Sequence, residues 1–211
     1  MKKLLFSTLA IAALAFTSCS SDDDSSNNNN NTVIDPANFE GELVAGEVAT
    51  LDSSQTYMLT GSFVVQDGAE LTIPAGTVIK ASGGTSSYIA VAQGGKIFIN
   101  GTATDPVVMT SSASSPAQGD WGGLVICGKA NTNKGGSTGQ TATAEVSDLT
   151  YGGTVDNDNS GVIRYLRIEY TGAAFNGDKE FNGLSLFGVG SGTTVEYVQS
   201  FEGGDDGIEF F

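Results

Sequence analysis

The sequence predicts an all-β solenoid, a parallel β-helix, on three observations. From about Phe39 to the end of the chain, short runs rich in Val, Ile, Thr and aromatic residues alternate with Gly, Asn and Asp. That is the pattern of short strands joined by tight turns. After the first 20 residues no stretch carries apolar residues at a helical period. The chain also repeats itself: Gly123-Leu-Val-Ile-Cys-Gly128 returns as Gly183-Leu-Ser-Leu-Phe-Gly188 and again as Gly207-Ile-Glu-Phe-Phe211. Gly183 and Gly207 are 24 residues apart, a spacing suited to one coil of a solenoid. A β-sandwich shows the same alternation but has no need of recurring Gly-Leu-x-Leu units.

Taken in chain order, residues 1–18 read as an export signal. Lys2 and Lys3 precede an apolar run from Leu4 to Phe16 that is too short to span a bilayer, and Thr17-Ser18 follow. Cys19 then stands at the expected cut, followed by Ser20-Ser-Asp-Asp-Asp24. This arrangement resembles the lipobox of bacterial lipoproteins, with Phe16-Thr17-Ser18 departing slightly from the usual Leu-(Ala/Ser)-(Gly/Ala). The form is similar to lipoproteins of Bacteroidota, and the acidic run resembles their signal for display on the outer face of the outer membrane. The resemblance implies lipidation of Cys19 and a membrane anchor; an ordinary signal peptide with an incidental cysteine is the alternative. Residues 19–34, almost wholly Ser, Asp and Asn, have too little apolar content to form a core and read as a flexible tether. Residues 35–211 are expected to form the β-helix domain.

Within that domain, candidate strands are Ser62-Phe-Val-Val-Gln66, Leu71-Thr-Ile73, Tyr88-Ile-Ala-Val91, Lys96-Ile-Phe-Ile99 and Pro106-Val-Val-Met109. A second repeated unit, Ile163-Arg-Tyr-Leu-Arg-Ile168, matches Val195-Glu-Tyr-Val-Gln-Ser200, with apolar or small residues at positions 1, 4 and 6 and tyrosine at position 3. Strand alternation predicts that Leu124 and Ile126, Leu184 and Leu186, and Ile208 and Phe210 stack in the core. Val125, Ser185 and Glu209 are expected to face outward in a row.

The landmarks Leu71-Thr-Ile-Pro-Ala-Gly-Thr-Val-Ile79, Gly94-Gly-Lys-Ile97, Gly101-Thr-Ala-Thr-Asp-Pro106 and Gly119-Asp-Trp-Gly-Gly123 resemble a family of exported Bacteroidota proteins. Arg167-Ile-Glu-Tyr170 and Gly204-Asp-Asp-Gly-Ile-Glu-Phe-Phe211 are similar to its later landmarks. The family's proteins are right-handed parallel β-helices of the pectin-lyase-like type. The resemblance covers most of residues 60–211 and implies the fold, but carries little function. Because the chain stops inside the third copy of its own repeat, without a polar cap, a longer protein is expected.

Composition excludes several chemistries. The chain holds no histidine, which removes Ser-His-Asp and Cys-His catalysis and His-ligated zinc. Its formal charge is −15, and loss of Lys2 and Lys3 with the signal makes that −17; such a surface repels phosphate backbones and excludes nucleic acid as a partner. It is compatible with divalent cations and neutral glycans. Of two cysteines Cys19 is expected to carry lipid, so Cys127 has no disulfide partner and reads as a small packing residue.

Three constellations remain. Asp156-Asn-Asp-Asn-Ser-Gly161 places oxygen side chains at Asp156, Asp158 and Ser160 with glycine at position 6, like the start of a calcium loop. Position 12, where a bidentate Glu belongs, is Arg167, with Glu169 nearby, so a polar turn is the competing reading. Asp205 and Asp206, with Glu202 and Glu209 close by, form an acidic cluster suited to acid–base work or to calcium. A double Asp also resembles polygalacturonase relatives, but their Asn-Thr-Asp and His-Gly motifs are missing. The resemblance to lyases of this fold implies a basic residue as proton acceptor, but nothing in the sequence places Arg164 or Arg167, the only arginines, beside Asp205. Trp121, with Tyr151, Tyr165 and Tyr197, offers rings that could stack on sugars, although Trp121 also reads as a coil corner. The expected function is a surface-displayed lipoprotein whose β-helix is a binding module for a polysaccharide or a surface protein. A polysaccharide lyase or hydrolase, or a passive stalk, are the alternatives.

Overall fold

The computed structural model describes residues 31–133, 139–177 and 179–211. Their strands are β1 (Phe39–Leu43), β2 (Val48–Thr50), β3 (Thr56–Val65), β4 (Glu70–Pro74), β5 (Val78–Ala81), β6 (Tyr88–Val91), β7 (Lys96–Asn100), β8 (Val107–Ser111), β9 (Leu124–Cys127), β10 (Ala142–Thr143), β11 (Thr150–Tyr151), β12 (Gly161–Glu169), β13 (Ala174–Asn176), β14 (Lys179–Glu180), β15 (Leu184–Phe187), β16 (Thr194–Phe201) and β17 (Ile208–Phe210). Two small hairpins, β10–β11 and β13–β14, are antiparallel. The remaining described pairs are parallel, and the chain is a right-handed parallel β-helix.

Its pairings define three faces. The first carries β2, β4, β7 and the opening halves of β12 and β16. The second carries residues 56–59 of β3, then β5, β8 and the closing halves of β12 and β16. The third carries residues 62–65 of β3, then β6, β9, β15 and β17. Each coil therefore contributes one strand to each face, and like residues fall into columns. On the third face Phe63, Ile89, Leu124, Leu184 and Ile208 form one column, and Val65, Val91, Ile126, Leu186 and Phe210 the next. The expected register of the Gly-Leu-x-Leu repeats is thus seen residue by residue, and Leu124, Ile126, Leu184 and Leu186 are buried in the core. The core placement expected of Ile208 and Phe210 is corrected: among the described strands β17 pairs with β15 on one side only, which leaves both exposed, Phe210 by 77%. Each fully buried large side chain in such a column stabilises the fold by about 1.5–3 kcal/mol.

The 1-4-6 spacing of the second repeat has a backbone cause. Ile163 pairs with Ile99 on the first face, and Leu166 and Ile168 pair with Val107 and Met109 on the second. Between them Tyr165 takes a left-handed conformation at φ 49°, and its counterpart Tyr197 does so at φ 58°. A single residue in that region turns the strand through the corner and resets which side chains point inward.

The chain docks on the first coil from Asn31, inside the last part of the expected tether. Asn31 bridges to Val48, and Thr32 N–H donates to the Val48 carbonyl at 2.7 Å. Phe39 then fills the first coil, 4.4 Å from the Phe63 ring centroid.

The outward row of the third face corrects one expectation. Val125, Ser185 and Glu209 are indeed in register, but Val125 and Ser185 are buried. Segments inserted between β9 and β12 and between β12 and β15 fold over this face. They supply Ala144, Val146, Tyr151, Ala173 and Phe181 to a second apolar cluster outside the coil. Cys127 lies in it, its thiol pushed up to about 12 by burial, in keeping with a packing role.

Candidate functional site

Two of the aromatic candidates are structural. Trp121 is fully buried, and its indole N–H donates to the Glu169 carbonyl at 2.8 Å. It ties the loop after β8 to the end of β12 and has no face to offer a sugar, which corrects the ligand-binding expectation. Tyr151 is buried under the inserted segments, 5.0 Å from Phe187 between ring centroids.

Tyr165 and Tyr197 lie outside. Their rings stack at 4.4 Å and 9°, and Tyr197 is 66% exposed. Register forces this contact, because β12 and β16 are paired parallel neighbours and both tyrosines occupy the same corner. Beside them is an open hollow of about 230 Å³ whose walls include Thr102, Pro106, Arg167 and Gln199. Arg167 and Gln199 are partners on the outer side of the second face, as are Glu169 and Phe201. The Arg167 guanidinium forms an ion pair with Glu169, and its central carbon lies 5.5 Å from the centroid of the Phe201 ring. Glu169 also accepts a hydrogen bond from the Thr110 hydroxyl at 2.6 Å. On the other side of the tyrosines, Arg164 donates to Glu196 at 2.8 Å. Both arginines of the chain therefore flank one aromatic corner, each held by a glutamate.

Gln199 and Phe201 were not singled out by sequence reasoning. The match of the second repeat carried the signal, since aligning Ile163 with Val195 sets Arg167 beside Gln199 and Glu169 beside Phe201.

The acidic candidates lie on the last coil of the third face. Glu209 accepts a hydrogen bond from the Asn182 amide at 2.5 Å, and Asn182 is buried. Burial pushes the Glu209 carboxyl above its ordinary value; the Asn182 bond opposes this, and the nearby charges of Glu145, Asp206 and Asp205 add to it. Asp205 and Asp206 are exposed on the turn leading into β17. The Asp206 carbonyl accepts from Gly183 N–H at 2.9 Å, which suits a turn joining coils. Among the described residues no three His, Cys, Asp or Glu side chains gather as a group able to hold a metal ion.

The loop around Asp156 bonds to itself and its neighbours. Asp156 accepts from the backbone and side-chain amides of Asn131 at 3.2 and 2.6 Å. Asp158 accepts from the Ser160 hydroxyl at 3.4 Å, and Asn159 accepts from Gly161 N–H at 2.8 Å. These bonds make a polar turn that delivers the chain to β12. Glu169, the acid nearest in sequence, is engaged by Arg167 and Thr110.

Parallel coils in register, with outward side chains on uncovered faces, are the frame of a pectate-lyase-like protein. Residues 41–211 match the pectate-lyase-like β-helix domain family, and the chain belongs to it. No curated protein and no solved structure matches the chain.

Proposed function

We propose that this chain is a lipid-anchored β-helix, displayed on the outer membrane surface, that acts as a binding module with a glycan as its ligand. The observation that carries the reading is the exposed Tyr197 ring, stacked on Tyr165 at the edge of an open hollow walled by Arg167 and Gln199. Aromatic rings beside fixed hydrogen-bond donors are what a sugar needs, one for its C–H faces and the other for its hydroxyls. The anchor rests on Cys19 and the residues around it, which lie outside the described residues.

Two measurements test this reading. Radiolabelled fatty acid should enter the wild-type protein and not the Cys19→Ala variant, and protease added to intact cells should digest the wild type. Soluble protein from residue 20 onward should retard in gels containing some polysaccharides while releasing no unsaturated or reducing ends. A protein that takes no lipid and is retarded by no polysaccharide would sink the proposal.

A lyase or hydrolase is the second reading, favoured by the family and by the raised Glu209 carboxyl beside Asp205 and Asp206. It predicts product release that is abolished by Asp206→Ala.

A further inference from the structure

The corner tyrosines occupy a backbone conformation that does not suit them. Left-handed φ costs a residue with a Cβ about 1–2 kcal/mol, and glycine or asparagine bears it more easily. The corner explains the conformation but not the choice of tyrosine, twice in register, at φ 49° and 58°. A ring kept where a smaller residue would be less strained points to a role for the ring.

The charges beside it are balanced. In a chain of net charge −15, both arginines stand at this corner and both are already neutralised. Arg164 is bound to Glu196 at 2.8 Å, and Arg167 to Glu169, which Thr110 also holds. A polyanion would have to displace a glutamate to gain a counter-charge, and it would approach against the field of the whole molecule. A hydroxyl needs neither change, because a guanidinium fixed by a carboxylate still has N–H groups to donate. Tyr197 and Phe201 lie four residues apart on β16, at most about 13 Å since Tyr197 itself turns the corner, with Gln199 between them. That length suits a short run of linked pyranose rings.

Resting on the binding reading above, we infer that this groove selects uncharged glycans, with Arg167 and Gln199 as hydrogen-bond donors to sugar hydroxyls and Arg167 not a counter-charge to carboxylates.

The test uses soluble protein from residue 20 onward, with neutral xylan, galactan and mixed-linkage glucan set against polygalacturonate and alginate. Affinities are measured at about 50 and 500 mM NaCl. At least one neutral polymer should bind, with an affinity that changes less than about twofold between the two salts, since no net charge is paired. Tyr197→Asn should weaken that binding about tenfold, the loss of a stacking contact worth on the order of 1.4 kcal/mol, while the melting temperature holds or rises. Binding of polygalacturonate that falls steeply with salt would overturn the uncharged class and leave the binding module standing. Binding of no polymer would overturn the module itself. A Tyr197→Asn protein that melts lower yet binds normally would make the ring a structural ladder and remove the site.

Discussion

The third face and the second face are made of the same coils, yet they live in different surroundings. On the third face β9 and β15 are buried at every position, because the core lies beneath them and the inserted segments lie above. On the second face β5 and β8 alternate between buried and partly or fully exposed positions, with Lys80, Thr110 and Arg167 on the outside. A parallel sheet covered on both sides reads as a continuous apolar run, and one left bare reads as an alternation. The solenoid thus has one walled side and an open one, and the polar chemistry of the candidate groove sits on the open side.

A charge placed at equivalent outward positions should separate the two faces most sharply. Val125→Asp puts an unpaired carboxylate under the cover and should cost on the order of 3–5 kcal/mol or prevent folding. Val108→Asp, on the open face, should stay within about 1 kcal/mol. Urea denaturation followed by the fluorescence of Trp121, the only tryptophan, reads both. Equal losses would mean that the third face has no cover. Next comes the cover itself. Phe181 is fully buried against Tyr88, with ring centroids 5.0 Å apart, and Phe181→Ala should cost about 3–5 kcal/mol. It should also expose the Cys127 thiol, which in the wild type should react with a disulfide reagent at pH 8 no faster than the protein opens.

A smaller effect marks the rim of the cover. The Glu209 carboxyl sits above its ordinary value in the folded chain, so the folded state holds its proton more tightly than the unfolded one. Stability attached to this group is therefore present at low pH and is lost as pH rises from the ordinary carboxylate range through the raised value. Glu209→Gln should melt higher than wild type at pH 7, and the difference should vanish at low pH, where the wild-type carboxyl is protonated and neutral like the amide. The smallest expected change is on the open side. Arg164→Ala breaks an ion pair whose side chains are each about half exposed, and should cost about 0.2–1 kcal/mol, falling toward zero in 1 M salt.

The columns were legible in the sequence because each repeat keeps leucine or a like residue at fixed offsets, and pairing then fixes every contact. The cover was not legible. Ala144, Val146 and Tyr151 are spaced without strand or helix period, so nothing local says which surface they will meet. Val125 and Ser185 were accordingly expected in solvent. Trp121 failed as a ligand residue for a related reason: a ring beside Gly122 and Gly123 fits a corner from either side, and its complete burial and the bond to the Glu169 carbonyl show that it turns inward. The tyrosine corner was half visible, since the repeat aligned Tyr165 with Tyr197. Their left-handed backbone leaves no trace in composition.

The corner between the first and second faces is closed by a single left-handed residue in the last two coils, and by residues 101–106 in the coil before. The long excursions flank the third face instead. Among the described residues, then, nothing near the tyrosine groove is long enough to fold over it. On the proposed binding reading, association there should be ungated: mixed with a neutral glycan in stopped flow, the observed rate should climb linearly with concentration, and a plateau would count against that reading. Capture would be rapid and release equally free, the kinetics of a surface that samples a polymer rather than one that keeps it.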